Sequence, residues 1–454
     1  MDQATTSLDT TTAHLLNVAQ RAAYNALPAS VVQDCKLRLI DAFACALGAY
    51  DHPTSALARK SAARVSAQQP ATVWGSAIKT TPEAAAFTNG VMTRLLDISD
   101  TYLGKSRGHP SDMMSGLIAV AESAHCDGKT LLGAITLAYD VYCSFADAID
   151  INGKGWDQPV YGILGCVVGA GHLLKLDRAQ LGHAIALALA PNMALAQARR
   201  GHLSNWKGCA GANASRNAVF AAALAQDGFT GPSAVFEGQG GLWDIIGRHE
   251  WPIPEGRHWI SETHIKGLPV CYHGQSAVYA ALELRDRVTL DDIEEINVSA
   301  YRTAVLMMGA DPSRWAPATH ETADHSMPFV VVSALRDGEV TARSFTHERL
   351  HDPLMLRLMA KVKVEEDTRH NSLYPEATPG RVRVRMKDGA TQESEVIYPK
   401  GHAKNPMNEA EVVAKFRAMT APRLSIEMQT QVLAFIHKIE STSDISRIVS
   451  LLAG

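Results

Sequence analysis

The residues of this chain best suited to chemistry crowd together between Arg94 and Ser111, in the string RLLDISDTYLGKSRGHPS. Asp97, Asp100, Thr101, Tyr102, Lys105, Arg107 and His109 supply carboxylates, hydroxyls, cations and an imidazole within one short span. Such a mixture suits proton transfer beside a bound carboxylate. Histidine exchanges a proton near neutral pH, and Lys and Arg hold carboxylates through charge-assisted hydrogen bonds. Pro110 disfavours helical angles at His109, and Ser111 or Asp112 can cap the helix that follows. His109 is therefore expected beside the positive end of that helix, a place that favours carboxylates. A metal is the alternative, since Asp97, Asp100, His109 and Asp112 offer oxygen and nitrogen ligands. Lys105 and Arg107 would repel a cation from the same loop, so no metal is expected. A solvated connection between two helices is the plainer reading of the same string.

Three other clusters carry polar groups of the same kinds. Arg199, Arg200 and Lys207 precede an Ala-rich segment that begins near Gly208. A lysine at a helix start gains nothing from the helix dipole; a bound carboxylate explains it, and so does a solvated basic turn. Lys266, Cys271 and His273 lie at an expected domain junction, a favoured location for ligand cavities. The string ETADHSMPF, Glu321 to Phe329, opens an apolar helix, and read alone its Asp324 and His325 serve as caps.

Helical spacing of apolar residues predicts the elements that must position these groups: helices over 30–48, 82–96, 111–126, 129–149, 158–175, 178–190 and 208–227. Several are apolar almost all round and rich in Ala and Gly, the pattern of helices buried at a bundle centre. The pattern changes near residue 260. Alternation predicts strands over 294–301, 361–364 and 381–386, and Asp388-Gly389 marks a hairpin whose return strand is 393–398. Helices near 273–286 and 321–336 lie among these strands, and helical periodicity returns at 408–418, 424–440 and 443–452. The expected fold class is mainly α: a large all-helical domain, 1–266 completed by 400–454, and a smaller α+β lid domain, 267–399.

The chain has 454 residues, room for two substantial domains, with 46% hydrophobic and 20% charged residues as in ordinary globular proteins. A net charge of -4 without a basic end gives no reason to expect nucleic-acid binding. Seven scattered cysteines without a C-x-x-C pair lack zinc-finger and iron–sulfur spacing, and point to reduced thiols and a cytoplasmic setting. The N-terminus, MDQATTSLDTTTAHLL, lacks the charged start and apolar core of a signal peptide. The longest apolar run, near 184–196, is broken by Pro191 and Asn192, so no membrane span is expected.

In order, LDISDTYLGKSRGHPSD, GKGWDQPVYG, LSNWKGCAGANASRNAVFAA, IKGLPVCYHGQSAV, ETADHSMPF and YPKGHAKNPM resemble the MmgE/PrpD family over nearly the whole chain, most closely its 2-methylcitrate dehydratase branch. The resemblance implies a helical domain, an α+β lid, a homodimer, and chemistry without metal or organic cofactor in the cleft between the domains. Its acidic and hydroxyl loop positions fall on Asp97 and Thr101, its loop histidine on His109, and its two lysines on Lys207 and Lys266. The implied activity is dehydration of a small hydroxy-polycarboxylate, with epimerisation, decarboxylation or binding without turnover as alternatives. In that chemistry Lys207 and Lys266 stabilise the carbanion formed beside a carboxylate. Arg200 or Lys105 can clamp a further carboxylate, and His109, oriented by Asp97, carries one proton. Two positions depart from the family pattern. Gln158 stands where many relatives carry histidine, and Phe329 where tyrosine is common. Glutamine moves no proton at neutral pH, so either another group such as Asp157, Tyr161 or His273 substitutes or the reaction differs, with Gln158 itself retained as a substrate contact.

Overall fold

The computed structural model describes residues 8–201 and 203–453. The first seven residues, part of the stretch read for a signal peptide, lie outside them. The fold is mainly α, and among the described residues no helix is long and apolar enough to cross a membrane.

Two of the long helices start at caps that the sequence supplies. Thr81 accepts from the Ala84 amide ahead of helix Pro82–Leu95, with Pro82 in its first turn, and Asp127 accepts from Thr130 ahead of helix Gly128–Ala148. The second of these is buried nearly all round and packs heavily against helix Pro159–Leu173. Helix Pro82–Leu95 packs most heavily against helix Trp206–Gln226. A Cβ on Gly90 would come within 2.8 Å of Ala212 Cβ, so only glycine lets the two axes approach this closely. That crossing brings Arg94, at the end of one helix, near Lys207, at the start of the other.

One apolar core runs through residues from Leu15 to Ile265 and is joined by Val412 to Leu452 of the C-terminal helices. A second gathers residues from Leu268 to Val384. Around the second core lies a four-stranded mixed sheet. Strand Ile293–Ala300 pairs parallel with Val362–Glu366 and antiparallel with Gly380–Met386, which turns into Thr391–Val396. The larger part departs from the all-helical expectation in two places. Ala71–Thr72 pairs with Lys79–Thr80, and Tyr102–Leu103 pairs with Arg107–Gly108. The second ribbon folds the loop between Asp97 and His109 back on itself.

The chain crosses between the two cores at neighbouring points. Thr101 and His264 exchange both backbone hydrogen bonds, at 2.9 and 2.8 Å, and the Ile265 amide donates to the Gly401 carbonyl at 3.0 Å. Lys415 fixes the same crossing from the C-terminal tail: its ammonium donates to the carbonyls of Ile98 and Lys266, both at 2.8 Å, and pairs with buried Asp41 at 2.6 Å. The loop bearing Asp97 and the segment bearing Lys266 are thereby tied together.

Candidate active site

At this crossing lies a cavity of about 250 Å³, lined from both parts of the chain. Asp97 is its hub. Helix Pro82–Leu95 ends just before it, and its φ of 48° is a left-handed conformation that Asp tolerates better than most residues. The turn aims the carboxylate back at cations. Oδ1 accepts from Arg94 Nη1 at 2.8 Å and Lys266 Nζ at 2.5 Å, and Oδ2 accepts from Lys207 Nζ at 3.2 Å. Burial alone would raise the carboxyl of Asp97; Arg94, Lys207, Lys266 and His325 outweigh it and hold the group well below its ordinary value. Lys266 also donates to the carbonyls of Asp97 (2.8 Å) and Val270 (3.3 Å), so all three of its protons have acceptors. Lys207 reaches Asp324 Oδ2 at 3.3 Å as well.

The charges at this inner end are close to balance. Arg94, Lys207 and Lys266 are all buried and face the carboxylates of Asp97 and Asp324. Asp112 lies 4.0 Å from Arg94; burial pushes its carboxyl up to about 6, so at neutral pH it is still mostly ionised and offsets most of the Arg94 charge. The positive charge without a carboxylate is at the rim, where it favours an incoming anion. At the rim, Arg199 is held by Asp157 at 2.7 and 2.8 Å, while Arg107 and Arg200 line the cavity without a carboxylate partner among the described residues.

His109 is not oriented by Asp97. Its Nδ1 lies 2.8 Å from the Asp100 carbonyl and its Nε2 lies 2.7 Å from Arg94 Nη2. A carbonyl can only accept and a guanidinium can only donate, which fixes the neutral tautomer with the proton on Nδ1. Burial first, then Arg94 and Lys266, hold this imidazole well below its ordinary value. The guanidinium therefore stands between His109 and the carboxylate expected to orient it.

His325 has the opposite surroundings. Its Nδ1 makes a very short hydrogen bond to Asp324 Oδ1, and its Nε2 lies 3.7 Å from Asp97 Oδ2 on the cavity wall. Burial and Lys207 lower it, but Cys271 and Asp324 outweigh them and raise it above its ordinary value. Asp324 and His325 do not cap the apolar helix that follows them, although the Asp324 backbone closes the short helix His320–Ala323. Ser326 caps helix Met327–Asp337, accepting from the Phe329 amide at 3.2 Å. The serine beside them in the sequence was the signal that both were free for another task.

Gln158 is locked in place. Its Oε1 accepts a short hydrogen bond from the Tyr142 hydroxyl and lies 3.4 Å from the His109 amide, and its Nε2 donates to Asp112 Oδ2 at 3.0 Å. A Cβ at Gly108 would meet Tyr142 Oη at 2.0 Å, so the network needs glycine there. Of the groups offered as substitutes, Tyr161 spends its hydroxyl on the backbone of Ile149 and Ile151, and Asp157 holds Arg199. His273 lines the cavity but shares a 2.5 Å hydrogen bond with the Tyr301 hydroxyl, and burial holds it well below its ordinary value. Phe329 is fully buried and packs at 5.9 Å on Phe345, away from the cavity lining.

Of the residues anticipated from sequence, Asp97, Thr101, His109, Gln158, Arg200, Lys266 and His273 line the cavity, and Lys207 stands behind Asp97. The Thr101 hydroxyl donates to the Gly108 carbonyl at 2.9 Å, holding the ribbon closed. Lys105 is placed elsewhere: the ribbon turns it outward, exposed, with its ammonium 3.5 Å from the Ala148 carbonyl. Arg94 belongs to the site without a role having been expected for it, and Arg107, Arg199, Asp324 and His325, named above only within polar clusters, belong to it as well. The donor atoms of Asp97, Asp324 and His325 lie within 4.8 Å of one another, close enough for a metal. Lys207 Nζ stands among them, 3.2 to 3.4 Å from all three residues, so an ammonium already takes the cation's place.

The MmgE/PrpD N-terminal domain profile matches residues 13–253, and the MmgE/PrpD C-terminal domain profile matches residues 268–440. The chain is 26% identical to 2-methylcitrate dehydratase of Escherichia coli strain K12, over 79% of each chain, and 26% identical to that of Salmonella typhimurium, over 87% of each. It is likewise 26% identical to cis-aconitate decarboxylase of Homo sapiens, over 84% of this chain and 82% of the relative.

Proposed function

The chain belongs to the MmgE/PrpD family, and from that premise we propose that it is a lyase that dehydrates a small hydroxy-polycarboxylate, like 2-methylcitrate dehydratase, without metal or organic cofactor. The observation that carries this reading is a cavity with Arg107 and Arg200 at its rim, neither paired with a carboxylate among the described residues, and with three buried cations gathered on Asp97 at its inner end. Substrate carboxylates fit both ends. At the inner end, Lys207 and Lys266 are held by Asp97 and act through their charge, which steadies the negative charge that gathers on a carboxylate when the neighbouring C–H proton leaves. His109 is the base in this reading. It is neutral, as a base must be, and its Nε2 lone pair is covered only by Arg94. A carboxylate that draws the guanidinium toward itself uncovers that lone pair where the proton is to be taken. Thr101, Gln158 and His273 shape the walls around the substrate.

The equal likeness to a decarboxylase favours a second reading in which the same anion-stabilising end serves loss of carbon dioxide. In either reading the protein works as a homodimer in the cytoplasm, and the 267–399 part closes over the cavity as a lid, hinged where Ile265 and Gly401 meet. The test is a panel of hydroxy-di- and tricarboxylates with chelator-treated protein, followed at the enoate ultraviolet band and by deuterium uptake from heavy water. Elimination is expected from at least one hydroxy-tricarboxylate. Exchange without elimination places the chain with epimerases, gas release with decarboxylases, and neither turnover nor exchange contradicts the reading.

A further inference from the structure

We infer that His325, oriented by Asp324, is the general acid that protonates the departing hydroxyl, a role that Gln158 cannot fill. The inference rests on the elimination proposed above. The dyad is built and held: Asp324 presents one carboxylate oxygen to His325 Nδ1 and the other to Lys207 at 3.3 Å, and its carbonyl accepts the Cys271 amide at 2.9 Å. With Nδ1 committed, Nε2 is the nitrogen left to act; it lies 3.7 Å from Asp97 Oδ2, too far for a hydrogen bond, and the Cys271 thiol is the further side chain that hydrogen-bonds this ring. Neither side chain caps the apolar helix that follows; the Asp324 carboxylate is divided between His325 and buried Lys207.

The groups facing His325 from the elements around it are Lys207, Asp97, Cys271 and His273, besides Asp324 itself. Lys207 opposes its protonation. Asp324 and Cys271 favour it and prevail, so the imidazolium survives to higher pH than that of a free histidine. His109, across Arg94, is held neutral. Two titratable groups pushed apart in this way are suited to opposite roles. The step balances. His109 Nε2 takes the C–H proton, the C–H electron pair becomes the new π bond, the C–O pair leaves with oxygen, and His325 Nε2 supplies the proton that makes it water. Solvent then reprotonates His325 and deprotonates His109.

The test compares two leaving groups. His325→Gln and wild type are assayed on a hydroxy-tricarboxylate that the wild type dehydrates, and on its analogue with fluoride in place of the departing hydroxyl. Fluoride departs without a proton. His325→Gln is expected to lose roughly 10²–10⁴-fold on the hydroxyl substrate but less than about tenfold on the fluoride, and to keep exchanging the C–H proton with heavy water. Asp324→Asn tests the positioning role. Activity should fall as pH rises through the His325 pKa, and removing the carboxylate should move that alkaline limb to lower pH. Equal losses on both leaving groups, in a protein that still binds a non-reacting tricarboxylate, overturn the acid role. If His325→Gln no longer binds that ligand, an alkaline limb unmoved in Asp324→Asn overturns it instead. A wild type that eliminates neither leaving group from any substrate overturns the proposed function, and the acid role falls with it.

Discussion

His109 and His325 flank the same carboxylate and share one cavity, but their neighbours differ. On the loop side, a guanidinium donates to Nε2 and a backbone carbonyl takes the Nδ1 proton, leaving a neutral ring. On the side of the second core, a carboxylate grips Nδ1 and the ring is favoured in its charged form. Burial lowers both. What separates them is the identity of the contacting group, a guanidinium at His109 and a carboxylate at His325. Burial therefore sets the stakes for both imidazoles without deciding either one.

The contrast can be broken most sharply at the base. His109→Gln keeps volume and hydrogen bonding and should cut proton exchange and turnover by roughly 10²–10⁴-fold, with affinity for a non-reacting carboxylate nearly intact. Wild-type exchange rates in this variant would remove His109 from the chemistry. Asp97→Asn breaks both sides at once, because Arg94, Lys207 and Lys266 lose their shared partner. A destabilisation of about 3–5 kcal/mol is expected in denaturant titration, the cost of uncompensated buried charge; a change within experimental error would mean that the cations find other partners.

Lys207→Met and Lys266→Met should each weaken binding of a carboxylate analogue by about 1–4 kcal/mol in calorimetry, the range for removing a unit charge that acts through space from a few ångströms away. Unchanged binding in both would remove the anionic cavity from the account. The smallest effect sharpens the comparison. Gln158→His restores the residue common in relatives, beside Asp112. If His325 already supplies the acid, the rate should change by less than about tenfold. A larger gain would assign the missing acid to position 158 instead.

The helices were legible from apolar periodicity, with a cap at Thr81 agreeing in one case: the expected 30–48 and 82–96 compare with Ala29–Gly48 and Pro82–Leu95. The hairpin of the mixed sheet was equally plain from Asp388-Gly389. The ribbon Tyr102–Leu103 with Arg107–Gly108 was not, since two-residue strands carry no period, and that ribbon is what turns Lys105 away. The parallel pairing of Ile293–Ala300 with Val362–Glu366 is likewise a tertiary choice. In the site, residue types pointed to Asp97, His109, Lys207 and Lys266, but the pairing between them did not show in the sequence. Lys207 meets Asp324 across 117 positions. Arg94 reads locally as a helix-end partner of Asp97, three residues on, which hid its second contact with His109.

The account turns on one cavity holding one imidazole neutral and the other charged. Titration of isotope-labelled histidines by nuclear magnetic resonance, assigned with His109→Gln and His325→Gln, reads both states directly and needs no substrate. His325 should titrate above the ordinary value of 6.5, and His109 should stay neutral to well below it. A His109 that gains its proton at or above 6.5, or a His325 that loses its proton below it, would contradict the account.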